Sequence, residues 1–563
     1  MDERRLLVAL ALSLLLLTAY SYLFSPTRRP QAVGSPRPGA SVAPPAAPAA
    51  SPSPLPSPPR SAPGPSPVAL PAKVDEKERR VEMTSADLSI AFTNRGGRVV
   101  SWKLLHFADG RGAPEEMVQA APTGPRPLDL ETDDPALDAR LREALFKPST
   151  DSLRVDRGGP ETVRFEFAEG DLAAEKEITL SPRGYLVRVK ALVHRNGQPV
   201  GTKILWGPGV GNPSATDREV QGYQPPQGVA LGSGGVEIFP PAKLAPSGQA
   251  LGAVVWAGVE SHYFAALFVP QGTAGGVALR PVTLPAHEDG KPNLAPLVSV
   301  DLGSAAEPAL LYVGPKEYHE MTGAGHQLSR LVIWQMGDWI GPPIVVPLMG
   351  LVRWVHSHVG NYGWSIVLVT ILINLVMAPF RHYSIANGMK MAKISPEMKV
   401  IQERYRKVPL MDPKRQEMQE EMAALYAKHG MNMGTQMLVG CLPLLLTMPF
   451  LMGFYRVLSI SIELRGAPFL WIPDLSHKDP LYLTPVLMGL SMFAMQKMTP
   501  STMDPAQQRM MTIMPIVFSA MFFGAAGGLN LYWLSSNLCA IVQQAITLRI
   551  LRDPARAAAR KRK

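Results

Sequence analysis

Four side chains near the end of the chain, Asn530, Trp533, Asn537 and Gln544, are spaced i, i+3, i+7 and i+14, which puts them on one helical face. Tyr532, Ser535 and Ser536 widen that face. Asn374 lies within the apolar stretch TILINLVMAP, and Thr447 lies between Pro443 and Pro449 in another apolar run. Amides and hydroxyls donate and accept hydrogen bonds, an indole donates one, and none titrates near neutrality. The chemistry open to them is hydration and recognition, not proton transfer. Three helices turning such groups inward would line a wet pocket. The same groups would equally serve as polar packing between helices, at roughly 0.6 kcal/mol per hydrogen bond.

Other chemistries lack their parts. The apolar runs hold no acid–histidine relay and no carboxylate pair, and no Cys/His cluster has metal-ligand spacing. A glycine-rich phosphate loop and a nucleophile elbow are both missing. Neither a cofactor nor a metal is expected. Glu260 and His262 are close enough to be drawn as an acid–base pair, but their spacing alone does not support one, and a structural role is expected. Cys441 and Cys539 fall in apolar runs and read as packing residues.

The elements that must position the polar faces are membrane spans. Residues 6–24 form an apolar run behind Arg4 and Arg5, read as an uncleaved anchor with residues 1–5 in the cytoplasm. Residues 25–77 form a Pro/Ala/Ser-rich linker, and 16 of the 56 prolines lie between 25 and 72, a composition that cannot bury a core. Residues 78–320 read as an all-β domain. Leu88, Ile90 and Phe92 alternate with polar neighbours, as do Tyr185, Val187, Val189, Ala191 and Val193 before the turn pair Asn196-Gly197. RGGRVVSWKLL (95–105) and YFAALFV (263–269) add strands, and so many strands suggest a large sandwich. Residues 328–358 carry Trp334, Trp339, Arg353 and Trp354 but are broken by Pro342, Pro343 and Pro347, as suits a helix lying in the membrane interface.

Five further spans are expected at 361–380, 436–460, 481–498, 510–527 and 529–549, making six with the anchor. Loops 381–434 and 499–509 and the tail 550–563 then fall inside, and 461–480 falls outside. Residues 381–430 carry 10 Lys/Arg against 6 acids, whereas 461–480 carries only Arg465 and Lys478 against three acids, consistent with positive charge staying inside. Within 381–434 two helices flank a turn. Met391, Met398, Met418 and Met422 recur on them as a soft surface for apolar partners or as packing between the pair.

The sequence is similar to the YidC/Oxa1/Alb3 membrane protein insertases. The stretches that carry this are VGNYGWSIVLVT and MAPF within 359–380, GCLPLLLTMPF (440–450), SIELRGAPFLWIPDLSHKDPLYLTPVLMG (461–489), MQKMTPSTMDPAQQRMMTIMP (495–515) and GLNLYWLSSNLCAIVQQ (528–544). The resemblance implies an α-helical polytopic membrane protein with six spans and a five-helix insertase core, plus an all-β periplasmic supersandwich domain. It implies an insertase and chaperone of the bacterial inner membrane, with both termini cytoplasmic, and not an enzyme. Its partners would be nascent membrane proteins, the Sec translocon, the phospholipid bilayer and, through the basic tail and hairpin, the ribosome. No small-molecule substrate is implied.

Carried over by motif, the family's client-touching aromatic pair falls on Tyr532 and Trp533, and the groove face of its third span on Thr447, Met448 and Leu451. The expected groove is therefore Asn374, Thr447, Met448, Leu451, Asn530, Tyr532, Trp533 and Asn537, with Met391, Met398, Met418 and Met422 on the client-receiving hairpin. The family's groove arginine falls on Asn374, a departure. Arg456, about 180° around its helix from Thr447, is the candidate substitute charge, and an arginine restored at 374 should be tolerated. A secondary transporter with a periplasmic domain is the alternative, followed by a membrane-tethered carbohydrate-active enzyme suggested by the sandwich alone.

Overall fold

The structure, a computed structural model, describes residues 72–552 apart from 120–123, 157, 272–275, 286–292, 304–307, 334–340, 407, 410–411, 432–447, 460 and 500–504. The expected anchor, the linker through residue 71, Trp334, Trp339, Cys441, Thr447 and the tail from residue 553 lie outside the described residues.

Three sheets build the β domain. The ten-stranded sheet runs Gly235–Phe239, Gln227–Gly232, Trp256–Glu260, Phe264–Val269, Ala309–Pro315, Leu186–Arg195, Leu172–Leu180, Glu161–Glu169 and Lys147–Pro148, with Gln198–Val200 beside Leu186–Arg195. A five-stranded sheet is formed by Pro114–Glu116, Arg98–Ala108, Leu88–Thr93, Arg80–Thr84 and Ser152–Arg154. The third contains Gln249–Leu251, Val277–Leu284, Asn293–Asp301, Lys203–Trp206 and Leu130–Glu131.

Period-two patterning decides which side chains enter the core. Val187, Val189, Ala191 and Val193 are buried while Arg188 and Lys190 stay exposed. Asn196 and Gly197 both take positive φ, 52° and 74°, and pair Arg195 with Gln198 across the tight hairpin expected of an Asn-Gly turn. Phe264–Val269 is buried on both faces, which is why it reads as an unbroken apolar run.

The helices follow: α1, Val346–Val359; α2, Tyr362–Arg404; α3, Lys414–Lys428; α4, described over 448–459; α5, Leu483–Met498; α6, Pro505–Met521; and α7, Gly527–Arg552. A π-helical turn at Gly341–Val345 leads into α1, where the proline-broken stretch begins its regular helix. Asn361 caps α2 by accepting from the Trp364 backbone N–H at 3.1 Å.

α2 differs from expectation. The sequence reads as a span ending near Pro379, followed by a separate hairpin helix. The structure instead runs one 43-residue helix through Pro379 and Pro396, roughly 64 Å long at 1.5 Å per residue. Proline removes one backbone donor, not the whole helix, and beside it the Gln543 carboxamide donates to the Ala378 carbonyl at 2.6 Å.

Two described helices, α2 and α7, are long and apolar enough to cross a membrane. Burial in this region is inverted relative to a soluble core. Leu375 is 68% exposed, and Leu490, Ile516 and Val542 are likewise exposed, while Ser365, Thr370 and Asn530 are fully buried. Apolar groups outward and amides inward is the distribution expected in lipid, where each polar group must find an internal partner.

Candidate functional site

α7 carries two polar faces. One faces α5: Asn537 Nδ2 donates to Ser491 Oγ at 3.1 Å, and Gln544 Nε2 donates to Thr499 Oγ1, just beyond α5, at 3.1 Å. The other faces α2, where Gln543 reaches the Ala378 carbonyl and Thr547 Oγ1 lies 3.2 Å from His382 Nδ1. The stripe expected to line a pocket is thus partly a hydrogen-bonded seam between helices. Its upper end is different. Asn530 donates to the Phe522 carbonyl at 3.2 Å, but among the described residues its Oδ1 is buried without a partner, as are Trp533 Nε1 and Gln496 Oε1.

Asn374, 6% exposed, holds three contacts. Its Nδ2 donates to the Thr370 carbonyl at 2.8 Å and lies 3.5 Å from Ser536 Oγ of α7. Its Oδ1 accepts from Arg381 Nη1 at 2.6 Å. Arg381 stands seven residues along α2, two turns, on the same helical face. It forms no ion pair among the described residues, so the cation meets a neutral amide. Sequence reasoning counted Arg381 only among the loop charges; the i+7 spacing from Asn374 was the available signal. With a guanidinium already there, an arginine at 374 would bring a like charge close to it, a cost the sequence alone does not reveal.

Arg456 does not reach Asn374. It lines a cavity with His262 and Ser476 on the β-domain side of α4. Tyr532 stacks on Phe454 of α4, ring centroids 4.5 Å apart, and Trp533 joins Phe518 and Phe522 of the α6 end. Met448 is exposed and Leu451 packs into the helical core. The hairpin methionines divide differently from a free client surface. Met391, Met398 and Met422 pack on Ile394, Tyr426 and Met431 between α2 and α3, and Met418 accepts a long contact from Arg415.

The β domain is joined to the helices through the 461–480 loop. Arg465 bonds Glu115 Oε2 at 2.6 Å and Asp217 Oδ2 at 3.3 Å, and its guanidinium lies over the rings of Tyr263 and Phe264. His477 lies between Asp217, at 3.3 Å, and Asp474, at 2.8 Å. The carboxylate of Asp217, at ion-pair distance from Nε2, and then that of Asp474, hydrogen-bonded to Nδ1, push the imidazole up to about 9. Burial alone would raise the Asp217 carboxyl, but His477 and Arg465 hold it well below the usual range. Ile462 from this loop is buried in the β-domain core. Glu260 and His262 do not pair. Glu260 takes Lys316 Nζ and Gln227 Nε2, each at 2.8 Å, while His262 Nδ1 accepts from the Gln224 N–H at 3.3 Å, and burial pushes the ring down to about 4.

Comparison with known proteins covers nearly the whole chain. The family model described as 60Kd inner membrane protein matches residues 354–554, and that described as YidC periplasmic domain matches residues 80–347. The chain is 31% identical over 574 residues to the protein named membrane protein insertase YidC of Geobacter metallireducens, covering 96% of this chain and 97% of that one. Its counterpart in Citrifermentans bemidjiense is 32% identical over 555 residues, at 96% and 98% coverage. A solved structure described as an active YidC insertase with its first transmembrane domain resolved aligns over 85% of this chain and 95% of that chain, at 18% identity and a TM-score of 0.33.

Proposed function

This chain belongs to the YidC family of membrane protein insertases, and on that premise we propose that it receives nascent inner-membrane proteins in a hydrated groove among α2, α4, α6 and α7. The observation that carries the reading is the inverted burial of these helices together with an uncompensated cation, Arg381, held on Asn374. Asn530 Oδ1 and Trp533 Nε1, without partners among the described residues, would each take water in such a groove.

The mechanism is physical. A wet groove shortens the distance over which a polar client segment lacks water, and the apolar segment then partitions sideways into lipid. Arg381 supplies the positive charge that Asn374 lacks and attracts an acidic client segment. Asn374 positions it. Tyr532, Trp533, Met448 and Leu451 form the wall against which the client slides, and Thr447, outside the described residues, is assigned to the same wall from the sequence alone. Asn530 hydrates that wall, and Asn537, bonded to Ser491, holds α5 to α7 behind it. No covalent step and no nucleotide takes part.

In this reading the chain has six spans, with the β domain periplasmic and the hairpin of α2 and α3 cytoplasmic. The hairpin receives clients on its outer surface, or after its methionine seam opens. The Sec translocon and the ribosome are its proposed partners. Depleting the resident insertase of a Gram-negative host and supplying this chain tests the reading through insertion of a small client. Failure to insert any client in a stably expressed, membrane-located chain would overturn it.

A further inference from the structure

A cavity of about 210 Å³ lies where the β domain meets the outer ends of α4 and α7, and its walls come from both parts of the molecule. Its polar lining is largely occupied. Ser459 Oγ donates to the Tyr455 carbonyl at 2.8 Å, Ser476 Oγ donates to Asp474 at 2.7 Å, and His262 Nδ1 accepts from Gln224. Arg456 stands apart as the charged side chain of the lining with a buried, unpartnered atom. Among the described residues its Nε is buried without a partner, it forms no ion pair, and no carboxylate lines the cavity. The nearby acid, Glu260, is held by Lys316 and Gln227.

A partly buried guanidinium whose Nε is shut off from water with an unmade hydrogen bond is costly unless an acceptor arrives. The group that satisfies its planar fork is a two-oxygen anion, either phosphate or carboxylate. Two observations select among sources. Arg456 lies on the β-domain side of α4, which, with α4 read as a span, puts it near the headgroups. Phe522 and Leu529 form an apolar wall of the same cavity, and Tyr455, 45% exposed, lines it as well. The volume suits a headgroup fragment and is below the range of pockets that enclose a whole drug-sized ligand.

We propose that this cavity binds the phosphodiester of an anionic phospholipid from the β-domain side of the bilayer, with Arg456 as its principal ligand. The lipid would stand between the β domain and the helical core and tie their contact to membrane composition. The proposal rests on reading α4 as a membrane span. It does not depend on insertion activity, and its readout is separate.

The test uses the full-length chain in phosphatidylcholine nanodiscs with phosphatidylglycerol as a minor component, then extracted for native mass spectrometry. One phosphatidylglycerol should stay with the parent, and its occupancy should fall about tenfold in Arg456→Gln, the loss of one charge-assisted contact. Ala526→Leu, which fills the cavity and keeps the guanidinium, should also lower occupancy, which covers misfolding of the first variant. Arg456→Lys should retain an intermediate amount. Equal retention by the parent and both loss variants overturns the proposal. Release of the bound lipid by inorganic phosphate at millimolar level, followed by phosphorus NMR, would mark a free-anion site and overturn the lipid assignment.

Discussion

Raising the pH should loosen the β domain from the 461–480 loop, with His477 as the responsible group. Its pKa near 9, against an ordinary 6.5, comes from carboxylates on both sides, Asp217 from the β domain and Asp474 from the loop itself. The side chain is 24% exposed, so solvent screens the pair only partly. A rise of that size corresponds to about 3 kcal/mol favouring the docked form. The contribution is fully present below about pH 6.5, declines as the pH rises through 9, and is absent above it. Asp217 and Asp474 are held below the ordinary carboxylate range, so they stay charged throughout that window and add no slope. Hydrogen exchange across residues 461–480, corrected for the intrinsic pH dependence of exchange, reads the opening free energy directly. Protection in the parent should fall on the order of a hundredfold between about pH 6 and pH 10, and His477→Gln should give a flat profile at the weaker level. A flat profile in the parent, or an unchanged slope in His477→Gln, would refute the assignment.

Three further outcomes follow from the packing. Lys176 is fully buried with its ammonium on the carbonyls of Gly96, Gly97 and Leu128 at 2.7, 2.9 and 2.5 Å; Lys176→Met should destabilise the β domain by about 3 kcal/mol, and an unchanged melting temperature would contradict this. A Cβ added at Gly363 would fall 2.1 Å from the Phe469 ring, so Gly363→Ala should cost about 1–3 kcal/mol and lower the yield of folded protein from detergent; a parent-like yield and melting temperature would contradict the close approach. Asn537→Ala should cost roughly 0.6 kcal/mol with insertion near the parent level, because it belongs to the seam with Ser491; a large loss of insertion at unchanged stability would place it in the groove instead.

Much of the fold was legible because it is local. Alternation at Leu186–Arg195 and the Asn-Gly turn specify a strand, a register and a hairpin from adjacent residues alone. The unbroken α2 was not legible, since Pro379 reads as a stop, whereas a proline removes one backbone donor and the helix runs on through it. The site shows the same division. Asn374 stood out as an amide in an apolar run, but Arg381 was grouped with loop charges because the helix was expected to end between them. Once α2 continues, seven residues become two turns, and the two side chains meet. The bonds from Arg465 to Glu115 and Asp217 span hundreds of residues and had no local signature.

The central claim is that this insertase keeps its groove charge on Arg381 instead of on residue 374. The most direct test is insertion of a small acidic-tailed client by the parent, Arg381→Met and the relocated pair Asn374→Arg with Arg381→Met, in the same depleted host and at matched membrane levels. Arg381→Met should insert poorly, and moving the guanidinium to position 374 should restore most of the activity. Parent-level insertion by Arg381→Met, or no recovery in a stably folded relocated pair, would contradict the claim.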